Sequence, residues 1–352
     1  MFRFSLTPLL LVACGLSATA ADIDTVYRKS DGKSVGGEIT AVSKTEVVVT
    51  QKVGNKEEHI PANDILFVEW KAEPIGLGLA RSNERAGNFS EALEGFQQAL
   101  GEAAGGSKDL KGSIEFLIAQ TSAKVAFADA TQTAVAIEKL NAFLSANRDH
   151  YRYYDAQLLL GQIALSAKDA AAAETAYSLV EQAPWLDYQL AGRNGQANAK
   201  LAGGDISGAK SIFDQVASAS TTTPAETGRK LEGMLGQAEC LKQQNNYAEA
   251  LTILVQVIDQ ASAKDTRVLA QAYIKQGDCY LADGQQYKAA VVAYLHVDVI
   301  PSLAAHVDLH AEALYQLTKL WPAVDQPARA AEASAKLETE YPNSEWTKKL
   351  GS

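Results

Sequence analysis

The stretch Gly87-Asn88-Phe89-Ser90-Glu91-Ala92-Leu93, with Leu79-Ala80 before it and Phe96-Gln97-Gln98-Ala99 behind it, decides the fold. From Glu73 onward the apolar pattern has a helical period, in helices of about twelve to eighteen residues. The small residues Ala80 and Ala92 matter most. Alanine or glycine at a crossing lets two antiparallel helices pack closely, and a bulky side chain there would push them apart. The same order of types returns along the chain. Leu160-Gly161, Ala173, Tyr177 and Val180 form one copy, and Ala197, Gly204-Asp205-Ile206, Ala209, Phe213 and Val216 the next. Ala238, Tyr247, Ala250, Leu254 and Val257 follow, then Gly277, Tyr280, Tyr287, Ala290, Tyr294 and Val297. Lys124 with Ala136, Leu140 and Phe143 is a weaker copy, as is Thr318 with Ala330, Leu337 and Pro342.

As a set, these copies resemble the tetratricopeptide repeat. In that family a small residue on the first helix of a hairpin meets one on the second, an aromatic closes the turn, and a larger apolar residue fills the groove behind. Anchors at 80, 124, 161, 197, 238, 277 and 318 are separated by 44, 37, 36, 41, 39 and 41 residues. The standard repeat is about 34 residues, so helices or turns here carry extra residues. The resemblance implies a mainly α fold: a solenoid of about seven helical hairpins over 73–350, ending at Tyr341-Pro342-Asn343-Ser344.

Ahead of the helices the period is two. Thr25–Lys29, Val35–Ala41, Glu46–Val53, Lys56–Ile60 and Ile65–Trp70 read as five short strands joined by tight turns. They predict a small antiparallel barrel-like module over 22–72. Val26 to Gly32, Gly37-x-Ile39, Ile60-Pro61, Ile65 and Val68 resemble small SH3-like or Sm-like barrels. Nine acidic against seven basic residues from Asp22 to Lys71 argue against the RNA binding of Sm-like relatives. A cap on the solenoid end is the plain role, and a cell-wall peptidoglycan or carbohydrate binder is the alternative.

The first 21 residues read as an export signal. Arg3 is the positive region, Leu9–Leu16 the apolar core, and Ala18-Thr19-Ala20 the small-residue cleavage pattern. Leu11-Val12-Ala13-Cys14 resembles a lipobox, so lipidation at Cys14, as in outer-membrane assembly lipoproteins of similar repeats, is the alternative to a soluble periplasmic or cell-envelope protein. Membrane attachment is expected only in that case. Of the remaining cysteines, Cys240 and Cys279 occupy equivalent positions in neighbouring first helices. Stacked helices lie roughly 8–10 Å apart, too far for a disulfide, which predicts two buried free thiols.

Composition narrows function further. Forty-two acidic against 32 basic side chains give a net charge of −10, which disfavours a general nucleic-acid binder. No nucleophile elbow, Walker loop or dinucleotide fingerprint occurs, and Gly101–Ser107 reads as a connector. No catalytic residue and no cofactor is expected. His306-Val307-Asp308-Leu309-His310 places two imidazoles one turn apart but lacks the zinc-protease glutamate and further ligands, so it reads as a solvated helix face with no metal. Tyr151-Arg152-Tyr153-Tyr154 reads as packing between repeats, with a binding patch as the alternative. Trp185 and Trp346 are expected to cover apolar seams.

The repeat resemblance implies other proteins or peptides as partners, held in the groove lined by the first helices. Counted from the anchors, Arg81, Arg85, Gln162, Asn194, Asn198, Glu239, Lys242 and Asp278 face it. Asn198 matches one position of the carboxylate-clamp relatives, and Asn194 stands where those have lysine. Solvated positions on a curved surface are the alternative. The sequence leaves oligomeric state open.

Overall fold

The computed structural model describes residues 23–284 and 286–351, so the export signal and Cys14 lie outside the described residues. Five strands, β1 (Asp24–Arg28), β2 (Ser34–Val42), β3 (Glu46–Thr50), β4 (Glu57–Pro61) and β5 (Ile65–Glu69), form one sheet in the order β4-β3-β2-β1-β5. Every neighbouring pair is antiparallel. Alternation drives this: Val26, Val47, Val49, Ile60, Ile65 and Val68 are buried. Gly37 is required by contact, because a Cβ there would stand 2.3 Å from the Thr50 carbonyl oxygen of the paired strand.

The chain forms two compact units. The first holds the sheet, α1 (Leu77–Ala86), α2 (Phe89–Glu102), the start of α3 (Lys108–Ala128), and the separate segment 149–151. Trp70 ends the sheet and is buried, its indole Nε1 donating to Ser113 Oγ on α3 at 3.1 Å. The same hydroxyl lies 3.3 Å from His150 Nε2 and 3.4 Å from the Tyr151 hydroxyl. Asp149 accepts from the Lys44 backbone N–H at 3.0 Å. Three residues from far along the chain are thereby built into this unit.

The second unit is a tetratricopeptide-like solenoid. Its hairpins pair α5 (Tyr153–Ser166) with α6 (Ala170–Glu181), and α7 (Leu186–Ala202) with α8 (Ile206–Ala217). They continue as α9 (Pro224–Gln243) with α10 (Tyr247–Gln260), and α11 (Thr266–Ala282) with α12 (Tyr287–Val299). After a four-residue helix, α13 (Pro301–Ala304), come α14 (Val307–Leu320), α15 (Pro327–Glu340) and α16 (Glu345–Leu350). α4 (Thr133–Ala146) precedes the series and packs on α5. The residues beyond 34 per repeat lie in the long α3 and α9, of 21 and 20 residues, and in α13.

The small-residue anchors act by contact. A Cβ on Gly161 would stand 2.6 Å from the Tyr177 ring, and one on Gly195, in the next first helix, 2.2 Å from it. Tyr177 of α6 is thus clamped between two first helices, and Tyr294 of α12 lies on Gly277 in the same way. The turn inside each hairpin also repeats. Gly87, Lys168, Gly204, Asn245, Gly284 and Asp325 all take positive φ just before the second helix. Asp169 and Asp205 then satisfy free N–H groups of the second helices α6 and α8, and a Thr223–Glu226 capping box does so for the first helix α9.

Candidate functional site

Successive first helices touch one another, α7 to α9, α9 to α11 and α11 to α14. Between α9 and α11 they carry a ladder of charge. Glu239 Oε2 accepts from Lys242 Nζ at 3.0 Å and from Lys275 Nζ at 2.9 Å. Lys242 reaches on to Asp278 Oδ2 at 3.4 Å, and the Tyr294 hydroxyl donates to Asp278 Oδ1 at 2.7 Å. Burial alone would raise the Glu239 carboxyl, but Lys275 and Lys242 overcome it and take its pKa down to about 2. Lys242 is held above its ordinary value because Glu239 and Asp278 outweigh its own desolvation.

Between α11 and α14 the arrangement differs. Arg267 donates to Asp308 in an exposed bidentate pair. Glu312, one turn further along α14, is half-buried and has no hydrogen bond or ion pair among the described residues. Burial pushes its carboxyl up to about 7, and the nearby charge of Asp278 adds to the effect.

Of the eight groove candidates, the structure brings together Glu239, Lys242 and Asp278. Arg85, Gln162 and Asn198 are exposed. Arg81 and Asn194 are committed elsewhere. Arg81 forms a bidentate pair with Glu73 at 2.7 and 2.9 Å and donates to the Val68 carbonyl, fixing the chain that leaves β5. Asn194 is buried, and its Nδ2 donates to the Arg229 carbonyl of α9 at 2.7 Å, while Oδ1 is buried without a partner. Lys275 and Glu312 were missed by sequence reasoning. The signal for Lys275 was present: Glu239 to Lys275 and Lys242 to Asp278 are both separated by 36 residues, with opposite charges.

The histidine reading needs correction. His310 is not on a solvated face; it is 2% exposed. Its Nε2 donates to Asp298 Oδ1 at 2.9 Å, and its Nδ1 lies 2.7 Å from the Tyr341 hydroxyl. Lys336 also donates to Asp298 Oδ1, at 2.8 Å. The His310 hydrogen bond, with burial opposing and Lys336 assisting, holds the Asp298 carboxyl below its usual range. His306 turns instead to Thr266 Oγ1 at 2.9 Å. No group of three or more potential ligands is placed to hold a metal ion among the described residues.

Cys240 and Cys279 are free and buried, and burial pushes both thiols up to about 11. Tyr154 meets Trp185 and Tyr188 edge-on in a buried cluster, and Trp346 packs on the C-terminal core, so these aromatics do pack between helices. No helix among the described residues is long and apolar enough to cross a membrane.

Hairpins clamped by an aromatic on a glycine, with a left-handed turn at a fixed place, define a helical-repeat protein. Models of the tetratricopeptide repeat match residues 125–186 and 232–262. The chain carries tetratricopeptide repeats. No curated protein matches the sequence. Among solved structures, a tetratricopeptide repeat protein from Parabacteroides merdae ATCC 43184 is 18% identical, with TM-score 0.49 over 65% of this chain and 80% of its own. PilW, a type IV pilus biogenesis factor, is 15% identical, with TM-score 0.43 over 67% and 99%. A Rap protein in complex with competence and sporulation factor is 16% identical, with TM-score 0.48 over 77% and 76%.

Proposed function

We propose that this chain is a non-catalytic scaffold of the bacterial cell envelope, holding partner proteins or peptides along the face of its first helices. The observation that carries the reading is that the first helices, while sharing in the core, also keep polar side chains at the surface. Both helices fill the seams, the second with large side chains such as Tyr177, Phe213 and Tyr294 and the first with aliphatics such as Leu231, Leu235 and Ile274. First helices keep polar side chains at the surface, among them Gln162 and Asn198. Polar side chains repeated along successive first helices suit an extended segment, whose backbone needs amide and charged partners at intervals. The envelope placement rests on the amino-terminal pattern of Arg3, the Leu9–Leu16 run and Ala18-Thr19-Ala20.

Photo-crosslinking in native envelopes tests this. A crosslinking amino acid at Gln162 or Asn198 of the full chain is expected to trap the same discrete partner. The same residue at Val255, exposed on α10, should trap none. Equal trapping at all three sites would overturn the first-helix reading.

A further inference from the structure

Between α12, α14 and α15, away from the ladder, lies a cavity of about 320 Å³. Leu295, Leu314, Leu317, Trp321 and Ala333 line it with apolar groups, and Asp298, Lys336, Arg329 and Glu332 line it with charged ones. These charges are not equivalent. Asp298 is already matched by Lys336 and His310, so that group has little net charge to offer. Arg329 is different. Its guanidinium lies over the Trp321 ring, 4.8 Å from the centroid, with no carboxylate partner among the described residues. A guanidinium over an aromatic face keeps N–H groups at its periphery, through which arginine takes a carboxylate by two hydrogen bonds.

We propose that this cavity is an anchor pocket for a partner protein, taking one large apolar side chain whose neighbouring residue presents a carboxylate to Arg329. The volume lies at the small end of ligand pockets, which suits one leucine- or phenylalanine-sized group. The leucine and tryptophan side chains of the lining offer no hydrogen bond, so burying a polar side chain against them would cost more than it gains. Glu332 sits one turn from Arg329 on α15 and repels a second acidic residue, confining the partner's carboxylate to the Arg329 side. Tryptophan and arginine together beside an apolar pocket are the residue types enriched where binding energy concentrates. The inference rests on the protein-binding reading above but places this contact on different residues from Gln162 and Asn198.

The test uses the full chain with labelled leucine methyl groups, titrated with capped six-residue peptides. A peptide with Leu-Glu at its centre is expected to shift the methyl signals of Leu295, Leu314 and Leu317. A Leu-Lys peptide should bind about tenfold more weakly, and an Ala-Glu peptide should give no shift. Arg329→Gln, at an exposed position, should bring the Leu-Glu and Leu-Lys peptides to equal affinity. Ala333→Phe should fill the cavity and abolish both; if that variant unfolds, the Arg329→Gln comparison still decides. No shift at these methyls, or equal binding of Leu-Glu and Leu-Lys by the unaltered chain, overturns the proposal. Crosslinking at Gln162 that persists after such a result would leave the first-helix reading standing; loss of both would remove the two together.

Discussion

The α9–α11 seam and the α11–α14 seam are built from the same kinds of residue, yet one closes its charges and the other leaves one open. In the first, Glu239 lies between two lysines, and Asp278 between a lysine and a tyrosine hydroxyl. In the second, Arg267 and Asp308 meet in water, and Glu312 has no hydrogen bond or ion pair among the described residues. With α13 inserted between α12 and α14, the ion pairs join residues 41 apart in the second seam against 36 in the first. Lys275, already engaged by Glu239, and Lys349 draw the Glu312 carboxyl down only in part and do not offset its burial. A repeat array can therefore carry one tight and one loose seam without altering its hairpins, and the loose one retains a charge that folding disfavours.

The largest expected effect comes from opening the tight seam. Lys275→Met leaves Glu239 poorly compensated and should lower stability by about 3 kcal/mol at pH 7, read by urea unfolding. The pH dependence has a fixed sign. The folded carboxyl of Glu239 titrates at about 2, below its ordinary 4.5, so its stabilisation is complete above 4.5 and disappears as pH falls towards 2. The penalty of Lys275→Met should shrink over that window. Glu312 has the opposite sign. Its folded carboxyl is raised from 4.5 to about 7, so its cost is absent below 4.5 and grows as pH rises to 7. Glu312→Gln should stabilise the chain by roughly 2 kcal/mol at pH 8, after discounting for partial exposure, and leave stability unchanged at pH 4. Equal effects at both pH values would remove the distinction between the seams. Tyr294→Phe deletes one hydrogen bond to Asp278 and should cost about 1 kcal/mol by the same assay. Arg267→Gln breaks an exposed pair and should change stability by less than ~0.5 kcal/mol.

The hairpins were legible in sequence because their cause is local and repeated. Gly161, Ala197, Ala238 and Gly277 mark small-residue crossings, and the large side chain that fills each seam, Tyr177, Phe213, Leu254 or Tyr294, follows 16 or 17 residues later. The strands were legible for a similar reason, from alternating valines and tight turns. The site was harder to read, because facing a groove and being available there are separate properties. Asn194 lies at a groove position by count, but the next first helix covers it. Arg81 lies at a groove position by count, yet Glu73 captures it from only eight residues away. His310 looked solvated beside Asp308, since its partners Asp298 and Tyr341 lie on other elements. Pairing across a solenoid depends on the offset between repeats, and irregular spacings of 36 to 44 residues hide that offset until the helices are placed.

The segment 149–151 has a consequence for how the chain is made. Because these three residues belong to the unit that holds the sheet, that unit is discontinuous in sequence, interrupted by 123–148. During synthesis its last pieces emerge only after α4 has been completed. Until then Ser113 lacks His150 and Tyr151, and the Lys44 N–H lacks Asp149. A nascent chain halted at residue 122 would hold every strand and still be unfinished, so the natural place to divide this protein is not where its strands stop.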